Sequence, residues 1–305
     1  MMPRLYFLLF VLAIATTSCD NDEASSLTIV DSNFENNVYT GAPGSVAEMT
    51  IQVNPGNVFE KFRFTKYVNN LFIDPNFGNT GSVEITDISQ PITFLYELRS
   101  AEIGAEVDFA VQIVDKGLIT TNDTITVLTV TDLETYGEMA FASLSTDTSV
   151  KAFLSIDDGQ LYSTDDVAAN PELAERIDLG FYYSDLTGPS FGSPTNLNSN
   201  ALYTNAVAGW SKLNDTKVLL VLNLPNITYD EIEASIEIEE VIDRSVGPGQ
   251  AFGGFATFIH ANQYVIFETD PTRPGGKKLG IIEVTRFGTV DNGVEARFKV
   301  QKDLN

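Results

Sequence analysis

Residues 107–130, VDFAVQIVDKGLITTNDTITVLTV, decide the fold class of this chain. Apolar side chains recur there at every second position: Val107, Phe109, Val111 and Ile113. This two-residue period is typical of a β-strand with one buried face. Residues 115–117, Asp-Lys-Gly, predict a turn, and the β-branched residues of 124–130 predict a returning strand. The stretch is therefore a predicted β-hairpin.

The same alternation recurs upstream, at residues 47–53, 62–64 and 92–98. With the intervening turn signals, it predicts about seven short strands in residues 27–131, which is typical of an antiparallel β-sandwich. Residues 107–130 resemble the last two strands of bacterial Ig-like domains, in which an Asp-x-Gly turn precedes a Thr-rich strand. The resemblance implies an Ig-like sandwich of the disulfide-free kind and carries no activity with it.

Residues 132–305 are predicted to form a second, larger β-rich α+β domain with a few helices. Strand-like runs there are interrupted by helical signals. Asn170, Pro171 and Glu172 predict a helix start with Pro at its first position. Thr228 and Glu231 have the spacing of a capping box, which predicts a helix that begins there and ends near Arg244. Residues 131–137 are interpreted as a linker or a boundary between the two domains.

The N-terminal residues predict export and anchoring. Residues 1–18 are interpreted as a signal peptide, because the apolar run 5–15 is too short to span a bilayer and small residues follow it. The sole cysteine, Cys19, comes next, and this pattern resembles a lipobox, which implies that Cys19 carries lipid. Residues 19–26, with their acidic run, are predicted to form the lipidated start and a flexible tether.

An acidic run behind the cysteine resembles the surface-export signal of Bacteroidota lipoproteins. The resemblance implies an outer-membrane protein, held in membrane lipid through Cys19 and facing the cell exterior; a periplasm-facing lipoprotein is the alternative. Residues 265–270, 277–287 and 296–302 also resemble the closing strands of Bacteroidota surface lipoproteins to which no activity is assigned. The resemblances therefore imply a cellular location for the protein, but they do not imply an activity.

Composition excludes several functions. The 305 residues include 42 Asp and Glu against 18 Lys and Arg, for a net charge of −24, so no nucleic acid is predicted as a partner. With one histidine, His260, and no cysteine besides Cys19, zinc and other transition-metal sites are close to excluded. The glycine-rich loops do not have the spacing of phosphate-binding loops. No cofactor is predicted, apart from a calcium ion considered next.

Two acidic doublets, Asp157-Asp158 and Asp165-Asp166, lie eight residues apart. Clustered carboxylate oxygens are the ligands that Ca²⁺ prefers, so the doublets are a candidate metal site. The alternative is that they belong to ordinary turns, since the EF-hand spacing is absent. Glycoside hydrolysis needs two carboxyl groups at a defined separation in space. Sequence spacing cannot identify such a pair, because a chain with so many acidic residues always contains candidate pairs. The chain is predicted not to be an enzyme.

Aromatic residues give the remaining functional hypothesis. Tyr182, Tyr183 and Trp210 lie in a region rich in Ser, Asn and Gly, and rings beside amides and hydroxyls suit a glycan. Adjacent tyrosines in a strand cannot both face the core, so one of Tyr182 and Tyr183 is predicted to be exposed. The alternative for Trp210 is that it packs in the core. The leading hypothesis is a non-catalytic surface protein that binds a ligand, most simply a glycan, or a surface protein partner. The alternative is a structural or adhesive protein without a small-ligand site, followed by a surface glycoside hydrolase.

Overall fold

A computed structural model describes residues 23–69, 72–246, 251–288 and 292–304 of the protein. Within them the chain divides into two compact units. The first unit comprises residues 23–33, 48–94 and 108–125, and the second comprises 34–47, 95–107 and 126–304. None of the helices in the described ranges is both long and apolar enough to cross a membrane. Cys19 and the predicted signal peptide lie outside the described residues.

Before residue 131 the described chain consists of strands joined by turns and loops, with one 3₁₀ turn at Ser100–Glu102. Its strands are β1 (Ser26–Ser32), β2 (Val38–Gly41), β3 (Val46–Asn54), β4 (Phe59–Val68), β5 (Phe72–Ile73), β6 (Ser82–Ile85), β7 (Ile92–Glu97), β8 (Glu106–Asp115) and β9 (Leu118–Thr129). One sheet has the order β1-β3-β7, and the other has the order β2-β9-β8-β4-β5, with β6 also paired to β4. The β1–β3 and β4–β6 pairs are antiparallel, whereas β2 pairs with β9 in parallel, which the sequence did not predict.

The first unit has its core between these two sheets. The ring of Phe94, in β7, lies 4.9 Å from that of Phe64 in β4 and 4.8 Å from that of Phe109 in β8. Along β7, buried and exposed residues alternate strictly, as the sequence pattern predicts. The predicted turn at 115–117 is also present, because Lys116 and Gly117 both have positive φ, 48° and 76°. Two such residues form the type I′ turn that suits the twist of a hairpin.

From residue 132 on, two antiparallel sheets alternate with short helices. The strands are β10 (Leu133–Phe141), β11 (Phe153–Ser155), β12 (Gln160–Tyr162), β13 (Ile177–Ser184), β14 (Gly188–Gly192), β15 (Lys217–Val221), β16 (Phe255–Ala256), β17 (Gln263–Glu268), β18 (Leu279–Phe287) and β19 (Val294–Gln301). The helices are α1 (Thr164–Ala169), α2 (Pro194–Ser199) and α3 (Ser235–Ser245), with 3₁₀ turns at Pro171–Glu175 and Thr204–Ala206.

These strands form a second sandwich. The C-terminal sheet has the order β10-β19-β18-β17-β15, and the central sheet has the order β12-β11-β13-β14-β16. Phe141 of the C-terminal sheet contacts Phe181 and Phe191 of the central sheet, at ring distances of 6.2 and 5.2 Å. Helix α3 covers the outer face of the C-terminal sheet, while α1 and α2 cover the outer face of the central sheet. The predicted mainly β fold with a few helices is confirmed.

Local predictions failed at three places. Residues 131–137 are not a linker, since β10 begins at Leu133 and pairs with β19. The helix predicted from Thr228 begins only at Ser235, because the Glu231 carboxylate accepts bonds from Thr228 within a turn instead. The helix predicted at Pro171 is a single 3₁₀ turn.

Candidate functional site

The adjacent tyrosines of β13 point to opposite faces of the central sheet. Tyr182 is 1% exposed and packs its ring against Tyr203, 4.7 Å away, and Phe255, 5.9 Å away. Burial raises the pKa of the Tyr182 hydroxyl above its ordinary value. Tyr183, the next residue, is only half-buried. Strand alternation thus makes one tyrosine part of the core and leaves the other at the surface.

Three depressions adjoin one another around Tyr183, which lines each of them. Their volumes are about 340, 520 and 300 Å³, and the lower limit for a small-molecule pocket is of this order. The first and third share Asn292, and the second and third share Ser145. We call them together the Tyr183 cleft. It lies where the end of β13 in the central sheet approaches the end of β18 in the C-terminal sheet.

The main chain of Tyr183 is fixed on both sides. Its amide donates to the Ser143 hydroxyl at 2.8 Å, and its carbonyl accepts from the Tyr203 hydroxyl at 2.8 Å. Two residues away, the Leu144 amide donates to the Phe181 carbonyl at 3.1 Å, so residues 143–144 run alongside β13. The ring of Tyr183 is therefore presented from a rigid backbone, which lowers the entropy lost when a ligand binds.

The β13–β14 turn forms one border of the Tyr183 cleft. The hydroxyls of Ser184 and Thr187 are 2.7 Å apart and bonded to each other, and the Thr187 carbonyl accepts from the Phe258 amide at 2.8 Å. The Ile259 amide donates to the Pro189 carbonyl at 3.0 Å. This turn is therefore tied to the segment that carries Ile259 and His260, both of which line the cleft.

The polar lining of the Tyr183 cleft is almost entirely uncharged. Its hydroxyl and amide side chains are those of Ser143, Ser145, Thr146, Thr148, Thr164, Ser184, Asn205 and Asn292. Among the described lining residues, Asp147 is the one carboxylate and His260 the one imidazole. Bonds from the hydroxyl and amide of Ser149 lower the pKa of Asp147. Hydroxyls and amides both donate and accept, so the cleft suits a neutral ligand with many hydroxyl groups.

Trp210 lies elsewhere. Its ring packs on Phe153, with the centroids 4.8 Å apart, and it is partly buried against the outer face of the central sheet. It is not among the residues that line the three depressions around Tyr183. The sequence singled out three aromatic residues. The structure places Tyr183 in a cleft, Tyr182 in the core and Trp210 against the outer face of the central sheet.

The first acidic doublet, Asp157 and Asp158, occupies the turn between β11 and β12. Asp157 pairs with the guanidinium of Arg273 at 2.6 Å and with the Lys278 ammonium at 3.6 Å. Asp158 accepts from the Tyr162 hydroxyl at 2.7 Å and from the Gln160 amide at 3.1 Å. These carboxylates already have cationic or hydrogen-bonding partners from the protein.

The second doublet lies at the start of α1. Asp166 and Ser163 form a reciprocal capping box, and Asp166 also pairs with Lys151. The Lys151 and Ser163 bonds lower the pKa of Asp166 to about 2. Asp165 is exposed in the first helical turn, where a negative charge stabilises the helix dipole. Among the described residues, no three acidic, histidine or cysteine side chains are grouped as metal ligands would be. The calcium interpretation gains no geometric support from these positions.

Sequence reasoning missed a buried ionic cluster around Arg273. The Arg273 side chain is fully buried, and its Nε lies 2.9 Å from Asp178 Oδ1, while its Nη2 lies 2.6 Å from Asp157 Oδ2. Asp178 is also fully buried and accepts from the Ile156 amide at 3.1 Å. Burial, which outweighs the nearby guanidinium, raises the pKa of Asp178 to about 7. Arg273 lies in a loop that is rich in Pro and Gly. Such a composition is typical of a surface turn, so the burial of Arg273 has no signal in the sequence.

Comparison with known proteins adds little to this geometry. No protein-family model matches the chain, and no curated protein matches it. Among solved structures, the chain is similar to the crystal structure of a DUF4466 family protein from Parabacteroides merdae. The TM-score is 0.43 and the sequence identity 14%, with 92% of this chain and 100% of that chain covered. Function is therefore argued from the chain's own residues.

Proposed function

We propose that the protein is a lipid-anchored surface protein that binds a neutral glycan, without catalysis, in the Tyr183 cleft. One observation carries the proposal. A half-buried tyrosine, fixed through its backbone, lines three adjoining depressions whose other polar side chains are nearly all hydroxyls and amides. An aromatic face for the C–H side of a sugar, surrounded by hydroxyl and amide groups for its edges, is the chemistry of glycan binding.

Charge supports a neutral ligand. The chain has a net charge of −24, and the described lining of the Tyr183 cleft has no lysine or arginine with which to hold an anion. A glycoside hydrolase needs two carboxyl groups on either side of the scissile bond, whereas Asp147 is the one carboxylate in this lining. Binding without hydrolysis is therefore favoured over the hydrolase hypothesis.

A structural or adhesive role is the competing proposal. It is favoured by Tyr182, which is buried in the core, and by Trp210, which packs on Phe153. Both residues then stabilise the fold and neither meets a ligand. The two proposals differ in what they expect of Tyr183, so this residue decides between them.

A glycan array tests the proposal on residues 20–305, which retain every residue that the structure describes. We expect binding to at least one neutral glycan, and we expect Tyr183→Ala to lower its affinity at least about fivefold, because stacking on one ring contributes about 1 kcal/mol or more. Tyr264→Ala is the matched control, since Tyr264 is a half-buried tyrosine on the outer face of the C-terminal sheet. Absence of binding, or equal loss in both variants, contradicts the proposal.

The membrane anchor requires its own test. Cys19→Ala should abolish incorporation of a palmitate analogue and release the protein from membranes, because an acyl chain contributes about 0.8 kcal/mol per buried CH₂. Surface proteolysis of intact cells distinguishes an outward-facing protein, which is cleaved, from a periplasm-facing one, which is protected. Unchanged labelling of the Cys19→Ala protein would rule out the anchor.

A further inference from the structure

The Tyr183 cleft has an apolar end. The depression of about 340 Å³ is lined by Pro189, Ile259 and Phe287 in addition to Tyr183, and the polar side chains there are His260 and Asn292. The other two depressions carry the serine and threonine hydroxyls, at residues 143–148 and at Thr164. The cleft therefore has an apolar depression and a hydroxyl-bearing region, which meet at Tyr183.

Large apolar side chains remain exposed around this end. Leu186, in the β13–β14 turn, is 82% exposed; Phe258 is 56% exposed and Phe287 is 39% exposed. Leu202, on the hydroxyl-bearing side, is 66% exposed. Single exposed apolar residues are common, but several beside one cleft indicate a surface that contacts a ligand.

Phe258 is held in its exposed position by the backbone. Its φ of 55° lies in the left-handed region, where a bulky side chain is a genuine outlier. Its amide donates to the Thr187 carbonyl at 2.8 Å, and the next amide, that of Ile259, donates to the Pro189 carbonyl at 3.0 Å. These two bonds fix the backbone of Phe258 beside the β13–β14 turn, next to Ile259 and His260, which line the depression.

We propose that the ligand is a neutral glycoside that carries an apolar substituent, such as an aryl or alkyl group. The substituent lies on Phe287 and Pro189, while the sugar lies against Tyr183 and the hydroxyls of residues 145–148. This inference rests on the proposed glycan binding and deepens it. Apolar area removed from water contributes roughly 25 cal/mol per Å², so an aromatic substituent adds measurably to the affinity of the sugar alone.

Calorimetric titration of residues 20–305 with paired probes tests the inference. The probes are the methyl and the 4-nitrophenyl glycosides of glucose, galactose, mannose and N-acetylglucosamine, with 4-nitrophenol as the sugar-free control. For at least one sugar, we expect the 4-nitrophenyl glycoside to bind about tenfold more tightly than the methyl glycoside. We expect 4-nitrophenol to bind far more weakly than either.

Phe287→Ser should reduce the advantage of the 4-nitrophenyl glycoside over the methyl glycoside to less than about threefold, because the ring on which the substituent lies is removed. Phe287 lies at the exposed end of β18, so thermal unfolding should show a folded variant. Leu222→Ser is the matched control, because Leu222 is 58% exposed and is not among the residues that line the cleft. It should leave both affinities unchanged.

The outcomes separate the two proposals. Equal affinity for the methyl and 4-nitrophenyl glycosides overturns the apolar substituent and leaves glycan binding intact. Equal binding of 4-nitrophenol and its glycosides shows an apolar cleft without sugar recognition, and overturns both. Binding of none of the probes overturns the apolar substituent, and the glycan array then decides whether the cleft binds a larger neutral glycan. An aryl advantage that survives Phe287→Ser overturns the assignment of the apolar end.

Discussion

The second unit contains two polar regions that differ in charge and in burial. In the cluster around Arg273, the Arg273 and Asp178 side chains are fully buried and lie against each other, and Arg273 also pairs with Asp157 at the surface. The cleft around Tyr183 is almost uncharged and open, and its hydroxyls line a surface on which a ligand can rest. Both regions contain polar side chains beside β13. Those around Arg273 are paired within the protein, whereas those of the cleft face the solvent.

The difference follows from the cost of burying a charge. A charge taken out of water must be paired, so the residues around Arg273 are fixed by one another and have little freedom to serve a ligand. A hydroxyl or an amide loses much less when it is partly desolvated, so it can line an open surface and exchange water for a ligand. The residues around Arg273 are therefore committed to one another, whereas the hydroxyls and amides of the cleft are available for the binding that we propose.

Breaking the Arg273 cluster should have the largest effect. Arg273→Met leaves the Asp178 carboxylate buried without its cationic partner, and we expect the free energy of unfolding to fall by about 3–5 kcal/mol. Urea unfolding measures the loss. Arg286→Met is the control, because Arg286 forms an exposed pair with Glu295 and should cost less than about 1 kcal/mol. Equal losses would show that burial does not distinguish the two arginines.

The two tyrosines of β13 should separate stability from binding. Tyr182→Ala empties a core position and should lower the free energy of unfolding by roughly 3 kcal/mol. Tyr183→Ala removes a half-buried side chain, so we expect a loss within about 1 kcal/mol. Thermal or urea unfolding of both variants, beside the glycan measurement, checks this. A large loss for Tyr183→Ala would make that residue structural and weaken the cleft proposal.

The smallest effect concerns the α1 start and depends on pH. Asp166→Asn should cost about 1 kcal/mol at pH 7, because the capping box and the Lys151 pair stabilise the ionised carboxyl. The pKa of Asp166 is lowered to about 2 in the folded protein, from an ordinary value of 3.8. Its contribution is therefore complete above pH 3.8 and is lost as the pH falls through about 2.

Urea unfolding at pH 7 and near pH 2 measures this dependence. The difference between the wild type and Asp166→Asn should shrink in acid, whereas Asp165→Asn should cost less at pH 7, since the exposed Asp165 carboxylate acts only through the helix dipole. A difference that stays constant with pH would mean that the Asp166 charge contributes nothing.

Periodicity made the first sandwich predictable. The alternation of Phe94 with its neighbours and the Lys116-Gly117 turn are local features, because a strand has a period of two residues and a hairpin needs positive φ at its turn. The same reasoning predicted that one of Tyr182 and Tyr183 would be buried and the other exposed. It could not say which, because the choice depends on what packs on each face of the sheet.

The sequence by itself determined the mainly β fold, the alternation along single strands and the uncharged composition around Tyr183. Only the tertiary structure decided where polar groups meet. The cleft joins residues 143–148 to Asn205, His260 and Phe287, and the buried cluster joins Asp157 and Asp178 to Arg273. Such groups are far apart along the chain and leave no periodic signal, because their positions follow from the pairing of strands in the two sheets.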